Sequence, residues 1–291
     1  MVDTTPATAD DRGIAPDGLG LEDDYAGPRN LPVEKVVSAD GTRIAYEKSG
    51  SGPPVVVIGG GLNDKAMFNP FAQLMSQHFT VYNCDRRGRG DSDFGDPERY
   101  SIYREVEDLA AVIESIDEPV SVFANCTGGQ VALLAAAAGV PMRKLGLYEP
   151  PYWSPEATTE QLAELKQLIA EDRREDTVTL FGRDIVGFLT DDTLEGIKQH
   201  PAWKAFLSMA PSTYYDAIIS KDHTHIPFEE LRRITVPTLV IRGDSTEPGI
   251  FGACARIVEE IPAGTLLTME DAGHLYDQKR VAPLMTQFFL S

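Results

Sequence analysis

The sequence predicts an α/β chain with a mostly parallel, doubly wound sheet and one all-helical insertion. Three observations carry this. Pro54-Val55-Val56-Val57-Ile58 is an unbroken, largely β-branched run, as expected of a strand covered on both faces. Residues 120–138 read as a short apolar strand, an abrupt turn through small residues and an Ala-rich helix. From about residue 152 to 228 the apolar spacing is helical only, with Leu162, Leu165, Leu168 and Ile169 in one stretch and Ile185, Phe188 and Leu189 in another, before a strand pattern returns at Val236.

The 291 residues, 42% of them hydrophobic, suffice for a sizeable core. A formal charge of −19 argues against nucleic acid and anionic membrane surfaces as partners and leaves a small-molecule substrate as the expected one. With no run of about 18 apolar residues and no basic-then-apolar start, a soluble, cytoplasmic protein is expected. Cys84, Cys126 and Cys254 are odd in number and irregular in spacing, which indicates neither a disulfide framework nor a zinc site. Reduced thiols are expected, and no metal or organic cofactor is implied. Oligomeric state is not encoded in any pattern found.

Taken in order, residues 1–30 are rich in Asp, Thr, Ala, Gly and Pro and read as a disordered acidic tail. Alternation over residues 34–38 and 42–48, broken at Ala39-Asp40-Gly41, predicts a hairpin. After the strand at residues 54–58 comes Gly59-Gly60-Gly61-Leu62-Asn63-Asp64, where glycines let backbone N–H groups approach a reacting centre; a tight strand-to-helix connection is the plainer reading. Residues 79–84 form the next strand. Asp85-Arg86-Arg87-Gly88-Arg89-Gly90-Asp91-Ser92 then reads as a turn tied by ion pairs, without a catalytic role. Val106, Leu109, Ala110, Ile113 and Ile116 mark an amphipathic helix leading into the strand at 120–125.

At that strand's end Cys126 stands at the apex of the turn, beside the unpaired N–H groups of the following helix. A thiol so placed, near a histidine, is held as thiolate at neutral pH and is a candidate nucleophile. The competing reading is a small buried Cys under the helix. A further strand covers residues 144–148, and Glu149-Pro150-Pro151 stops it. The last strand, residues 265–269, runs into Glu270-Asp271-Ala272-Gly273-His274-Leu275. Of five histidines, His274 alone follows a core strand in a small-residue loop, which makes it the candidate base rather than a surface helix cap. His223 and His225 read as a solvated pair, not metal ligands.

These features resemble the α/β-hydrolase family. Ala124-Asn125-Cys126-Thr127-Gly128 is similar to its Gly-x-Ser-x-Gly elbow, with Ala124 at the first Gly and Cys126 at the Ser. Gly59-Gly60-Gly61 resembles the His-Gly-x oxyanion loop, with Gly59 at the His. The stretch from Asp85 to Ser92 is similar to the Asp-x-Arg-Gly-x-Gly-x-Ser loop, and Gly273-His274 to the loop that supplies the base. The resemblance covers roughly residues 32–291. It implies oxyanion donors at the N–H groups of Gly61 and Thr127, a core of residues 31–151 and 229–291, and a helical cap at 152–228 whose aromatics Tyr152, Trp153, Trp203, Phe206, Tyr214 and Tyr215 suit the wall of an apolar pocket. The family's usual triad acid, three residues after the Gly ending the seventh strand, is replaced here by Thr246. Asp244 and Glu149 are the first candidates to substitute, and Glu247 the third. The implied activity is that of a Cys-His-acid esterase or thioesterase, a hydrolase or acyl-transfer enzyme acting on an ester, thioester or lactone of a small apolar substrate. The alternative is a lyase, cyclase or ligand-binding protein that has lost hydrolysis.

Overall fold

The computed structural model describes residues 31–152 and 155–291. The expected acidic tail and Trp153 lie outside these. Eight strands form one sheet: β1 (Val33–Val37), β2 (Arg43–Gly50), β3 (Pro54–Ile58), β4 (Thr80–Cys84), β5 (Ser121–Asn125), β6 (Lys144–Tyr148), β7 (Thr238–Gly243) and β8 (Gly264–Met269), in the order β1-β2-β4-β3-β5-β6-β7-β8. The hairpin strands β1 and β2 are antiparallel to each other, and β2 is antiparallel to β4. From β4 to β8 every pairing is parallel.

β3 shows why an unbroken apolar run was needed. Val55 and Val57 enter the core on one face, with Phe71 of α1 (Asn69–Met75) and Met285 of α11 (Gln278–Leu290). Val56 and Ile58 enter the core on the other, with Leu109 of α2 (Ile102–Glu114) and Ile257 of α10 (Pro248–Glu260). Alternating side chains thus meet apolar layers on both sides of the sheet.

Strand order reverses between β3 and β5, so the crevice at the carboxyl ends of these strands is where an open α/β sheet accommodates a ligand. α3 (Cys126–Ala137) starts directly there. Between β6 and β7 the chain is helical, with α4 (Thr159–Ala170), α5 (Arg174–Thr179), a π-helical turn at Leu180–Ile185, α6 (Asp191–Gln199), α7 (Trp203–Met209), α8 (Thr213–Asp222) and α9 (Phe228–Leu231). This insertion covers the crevice. Among the described residues, no helix is long and apolar enough to cross a membrane.

Candidate active site

Cys126 is the first residue of α3 and has φ +49°, a left-handed conformation that costs a non-glycine residue of order 1–3 kcal/mol. Strand and helix packing on either side hold it there. The turn also brings the β3 loop against the thiol: a Cβ on Gly60 would lie 2.5 Å from that of Cys126, so only glycine fits. The backbone N–H groups of Gly61 and Thr127 hydrogen-bond to the Cys126 sulfur. They are therefore the two donors that can meet an oxyanion formed beside it.

His274, in the loop after β8, hydrogen-bonds the same sulfur. Burial alone pushes the Cys126 thiol up, but the His274 charge, its hydrogen bond and the two backbone donors outweigh burial and hold the thiol below its ordinary value. Burial likewise works against imidazolium. The thiolate and the Glu149 carboxylate reverse it and raise His274 to about 10. The two shifts share one cause, the contact between thiol and imidazole, and belong to the pair rather than to either residue. The other thiols behave oppositely: burial pushes Cys84 well up and Cys254 to about 12.

The carboxylate on His274 is Glu149. It follows β6 with φ +44°, is fully buried, and its Oε2 lies 2.8 Å from His274 Nδ1. Its remaining valences are filled from β7 and the turn after it: the Gly243 N–H donates to Oε1 at 2.7 Å and the Thr246 hydroxyl to Oε2 at 2.9 Å. Gly243 is held to glycine because a Cβ would fall 1.9 Å from the Ala272 carbonyl oxygen. Tyr148 donates to the Gly273 carbonyl at 2.6 Å and fixes the histidine loop to β6.

Asp244, ranked beside Glu149 on sequence, does not reach His274. It is exposed, and its Oδ1 accepts from Ser245 Oγ at 3.0 Å and from the Ala272 N–H at 3.4 Å. Past the end of β7 its carboxylate is spent on this hydroxyl and this backbone N–H, away from the imidazole. Glu247, also exposed, sits at the pocket wall without contacting the imidazole. Thr246, at the usual acid position, serves instead as a donor to Glu149.

Two cavities flank the thiol and share Gly61, Asn63, Asn125, Phe188, His274 and Leu275. One, of about 120 Å³, continues to Gln130, Phe181, Val186, Asp216 and Ile250. The other, about 80 Å³, continues to Met67, Phe68, Ile197, Phe206 and Tyr276. Of the expected cap aromatics, Phe206 reaches a cavity. Tyr215 instead stacks on Tyr100 at 4.0 Å, while Phe181 and Phe188, in and after the π-helical turn, wall the site. Helical spacing marks all of these as apolar without saying which side faces the crevice.

The turn after β4 does more than tie itself together. Asp85 does anchor locally, accepting from the Lys65 N–H at 2.7 Å and Lys65 Nζ at 2.8 Å. But Arg86 reaches the cap: its Nη1 donates to Asp216 of α8 at 3.1 Å and to the Thr127 hydroxyl at 3.0 Å, while Glu105 accepts from its Nε at 2.5 Å. Arg89 Nη2 binds the other Asp216 oxygen, and the Thr127 hydroxyl donates to Asp216 at 3.1 Å. Asp216 and Gln130 were not singled out on sequence. Asp216 is the lone charge in the stretch from Tyr214 to Ile219, and Gln130 lies one helical turn from Cys126; both are signals that could have found them. His223, expected to be solvated, is half-buried, and its backbone carbonyl accepts from Gln130 Nε2 at 2.9 Å.

The sequence model of the alpha/beta hydrolase family matches residues 55–283, and the chain belongs to that family. Its fold is that of a solved alpha/beta hydrolase from Sphaerobacter thermophilus, 37% identical, covering 88% of this chain and 100% of that one, with a TM-score of 0.79. An esterase from a Rhodococcus species, 21% identical over 90% of this chain and 99% of its own, shares the fold with a TM-score of 0.69. A zearalenone hydrolase from Cladophialophora bantiana is 31% identical over 127 residues, 42% of this chain and 48% of the relative. The chain thus spans about half or less of the curated relatives it matches.

Proposed function

We propose that the chain is a cysteine-dependent hydrolase or acyl-transfer enzyme acting on small esters, thioesters or lactones. The observation that carries this reading is the line Cys126, His274, Glu149, with the thiol held below its ordinary value in the wall of a small cavity. The Cys126 thiolate attacks the substrate carbonyl carbon. The carbonyl oxygen takes the negative charge and is met by the Gly61 and Thr127 N–H groups. As the intermediate collapses, the bond to the leaving group breaks, and His274 gives the leaving atom its Nε2 proton, leaving a thioester on Cys126. Water, or an acceptor alcohol or thiol, then gives its proton to His274 and attacks the thioester, releasing the acid or the new ester and restoring the thiolate. A thioester intermediate favours activated acyl groups over unactivated amides.

Family membership and the relatives named as hydrolases support the reaction class, and the combined cavity size supports a small substrate. Iodoacetamide labelling with peptide mass spectrometry tests the nucleophile. Cys126 is expected to be alkylated first and Cys126→Ala to abolish turnover of p-nitrophenyl acetate. Preferential alkylation of Cys84 or Cys254, with activity surviving in Cys126→Ala, would overturn the proposal.

A further inference from the structure

Gln130 is nine-tenths buried, lies on α3 four residues after Cys126, and lines the larger cavity. Cys126 and Gln130 line the same cavity, so Gln130 is a wall neighbour of the nucleophile. Its amide orientation is fixed, because the His223 carbonyl 2.9 Å away is an acceptor and must face the NH2 group. The Oε1 atom is therefore turned elsewhere, and it is buried with no hydrogen-bond partner among the described residues. A second carboxamide lining the same cavity, Asn125, also has a buried Oδ1 without a partner. A buried acceptor left unsatisfied costs about 1–3 kcal/mol, so a wall with two of them discriminates in favour of a ligand that brings a donor.

Of the two carboxylates in that wall, Glu247 is exposed and Asp216 is buried and already occupied. Both oxygens of Asp216 are bound, by Arg86 and Thr127 on one and Arg89 on the other. The rest of the wall includes Phe181, Val186, Phe188 and Ile250.

We propose that Gln130 is a specificity-determining residue whose Oε1, assisted by Asn125, accepts a hydrogen bond from a hydroxyl or amide N–H on the substrate, two to four bonds from the attacked carbonyl. The inference rests on the hydrolytic reading above. It narrows the substrate class to small, uncharged acyl compounds bearing a hydroxyl or amide donor near the carbonyl. Oε1 is enclosed in the free protein, so the contact requires the carboxamide to shift toward the cavity, where it would gain the partner it lacks.

The test compares p-nitrophenyl 3-hydroxybutanoate with p-nitrophenyl 3-methylbutanoate, in which a methyl group replaces the hydroxyl at nearly the same volume. The native enzyme is expected to favour the hydroxylated ester in kcat/KM by about tenfold or more, and Gln130→Met, close in length and shape, to lose that preference. An unchanged ratio in the variant, or a native preference for the methyl compound, would overturn the proposal. A second measurement needs neither the variant nor turnover. Cys126→Ala, with Gln130 intact, is expected to bind 4-hydroxypentan-2-one several-fold more tightly than 4-methylpentan-2-one by calorimetric titration, on the scale of one buried hydrogen bond. Equal or reversed affinities would contradict the subsite. Failure of every ester to turn over would refute the hydrolytic reading, while the ketone pair still decides the subsite.

Discussion

Glu149 occupies a backbone conformation that few carboxylates would adopt unaided, and three contacts justify it: His274 Nδ1, the Gly243 N–H and the Thr246 hydroxyl. Removing its charge takes away the group that fixes the imidazole's tautomer and direction. Glu149→Gln is expected to lower the rate of acyl-enzyme formation by about tenfold or more, on the general scale of acid–base contributions. Asp244→Asn, at an exposed position, is expected to leave that rate near the native value, and the double variant to match Glu149→Gln. Stopped-flow kinetics with an activated ester measures all three, and a larger loss in Asp244→Asn would contradict the assignment.

The same residues set a pH window. The proposed reactive species is thiolate with imidazolium, which would form as pH rises through the depressed Cys126 value and decay as pH rises through the elevated His274 value, about 10. The rate of Cys126 alkylation should therefore rise at lower pH than that of an ordinary thiol. Burial keeps Cys84 and Cys254 protonated there. A profile climbing only through the ordinary thiol range would show that no ion pair exists.

At the scale of elements, a buried carboxylate helps to fasten the cap to the core. Asp216 on α8 meets Arg86 and Arg89 from the turn after β4, and the hydroxyl of Thr127 from the elbow. Asp216→Asn leaves two buried guanidinium groups undercompensated, and breaking such a pair costs about 3–5 kcal/mol. Urea unfolding should register that loss. Because the lost contact also steadies Thr127, whose N–H is proposed as an oxyanion donor, kcat should fall together with stability. Unchanged unfolding midpoints would mean that the cap is held by its other contacts, such as Gln130 to the His223 carbonyl and Tyr215 to the Phe94 carbonyl.

This element also shows where the sequence stops being legible. The strand-turn-helix at Cys126 and the loop with His274 could be read because their signals are local, small residues after an apolar run. The choice of Glu149 over Asp244 could not, since it depends on which way side chains leave two neighbouring strand ends. Asp216 and Gln130 escaped notice for a related reason: their partners lie 130 and 93 positions away in sequence at Arg86 and His223, and periodicity carries no information at that range. The turn from Asp85 to Ser92 was legible as a tied loop but not as the cap's anchor.

At the scale of the whole molecule, the parallel sheet gathers five loops at one edge: the glycines after β3, the elbow after β5, Glu149 after β6, the turn at Gly243 after β7 and His274 after β8. The unbroken apolar run of β3 made a two-faced sheet readable from sequence, and the pattern change after residue 152 made the helical insertion readable. The insertion's pocket face was not, because π-helical geometry at Leu180–Ile185 shifts side chains off the 3.6-residue repeat. Every part of this arrangement converges on one sulfur atom. Mixing the protein with p-nitrophenyl acetate, quenching in acid within milliseconds and weighing the Cys126 peptide tests that convergence most directly. The account predicts a transient acetyl adduct on Cys126 that accumulates and decays with turnover. Steady turnover with no adduct on that peptide, or an adduct on another residue, would contradict it.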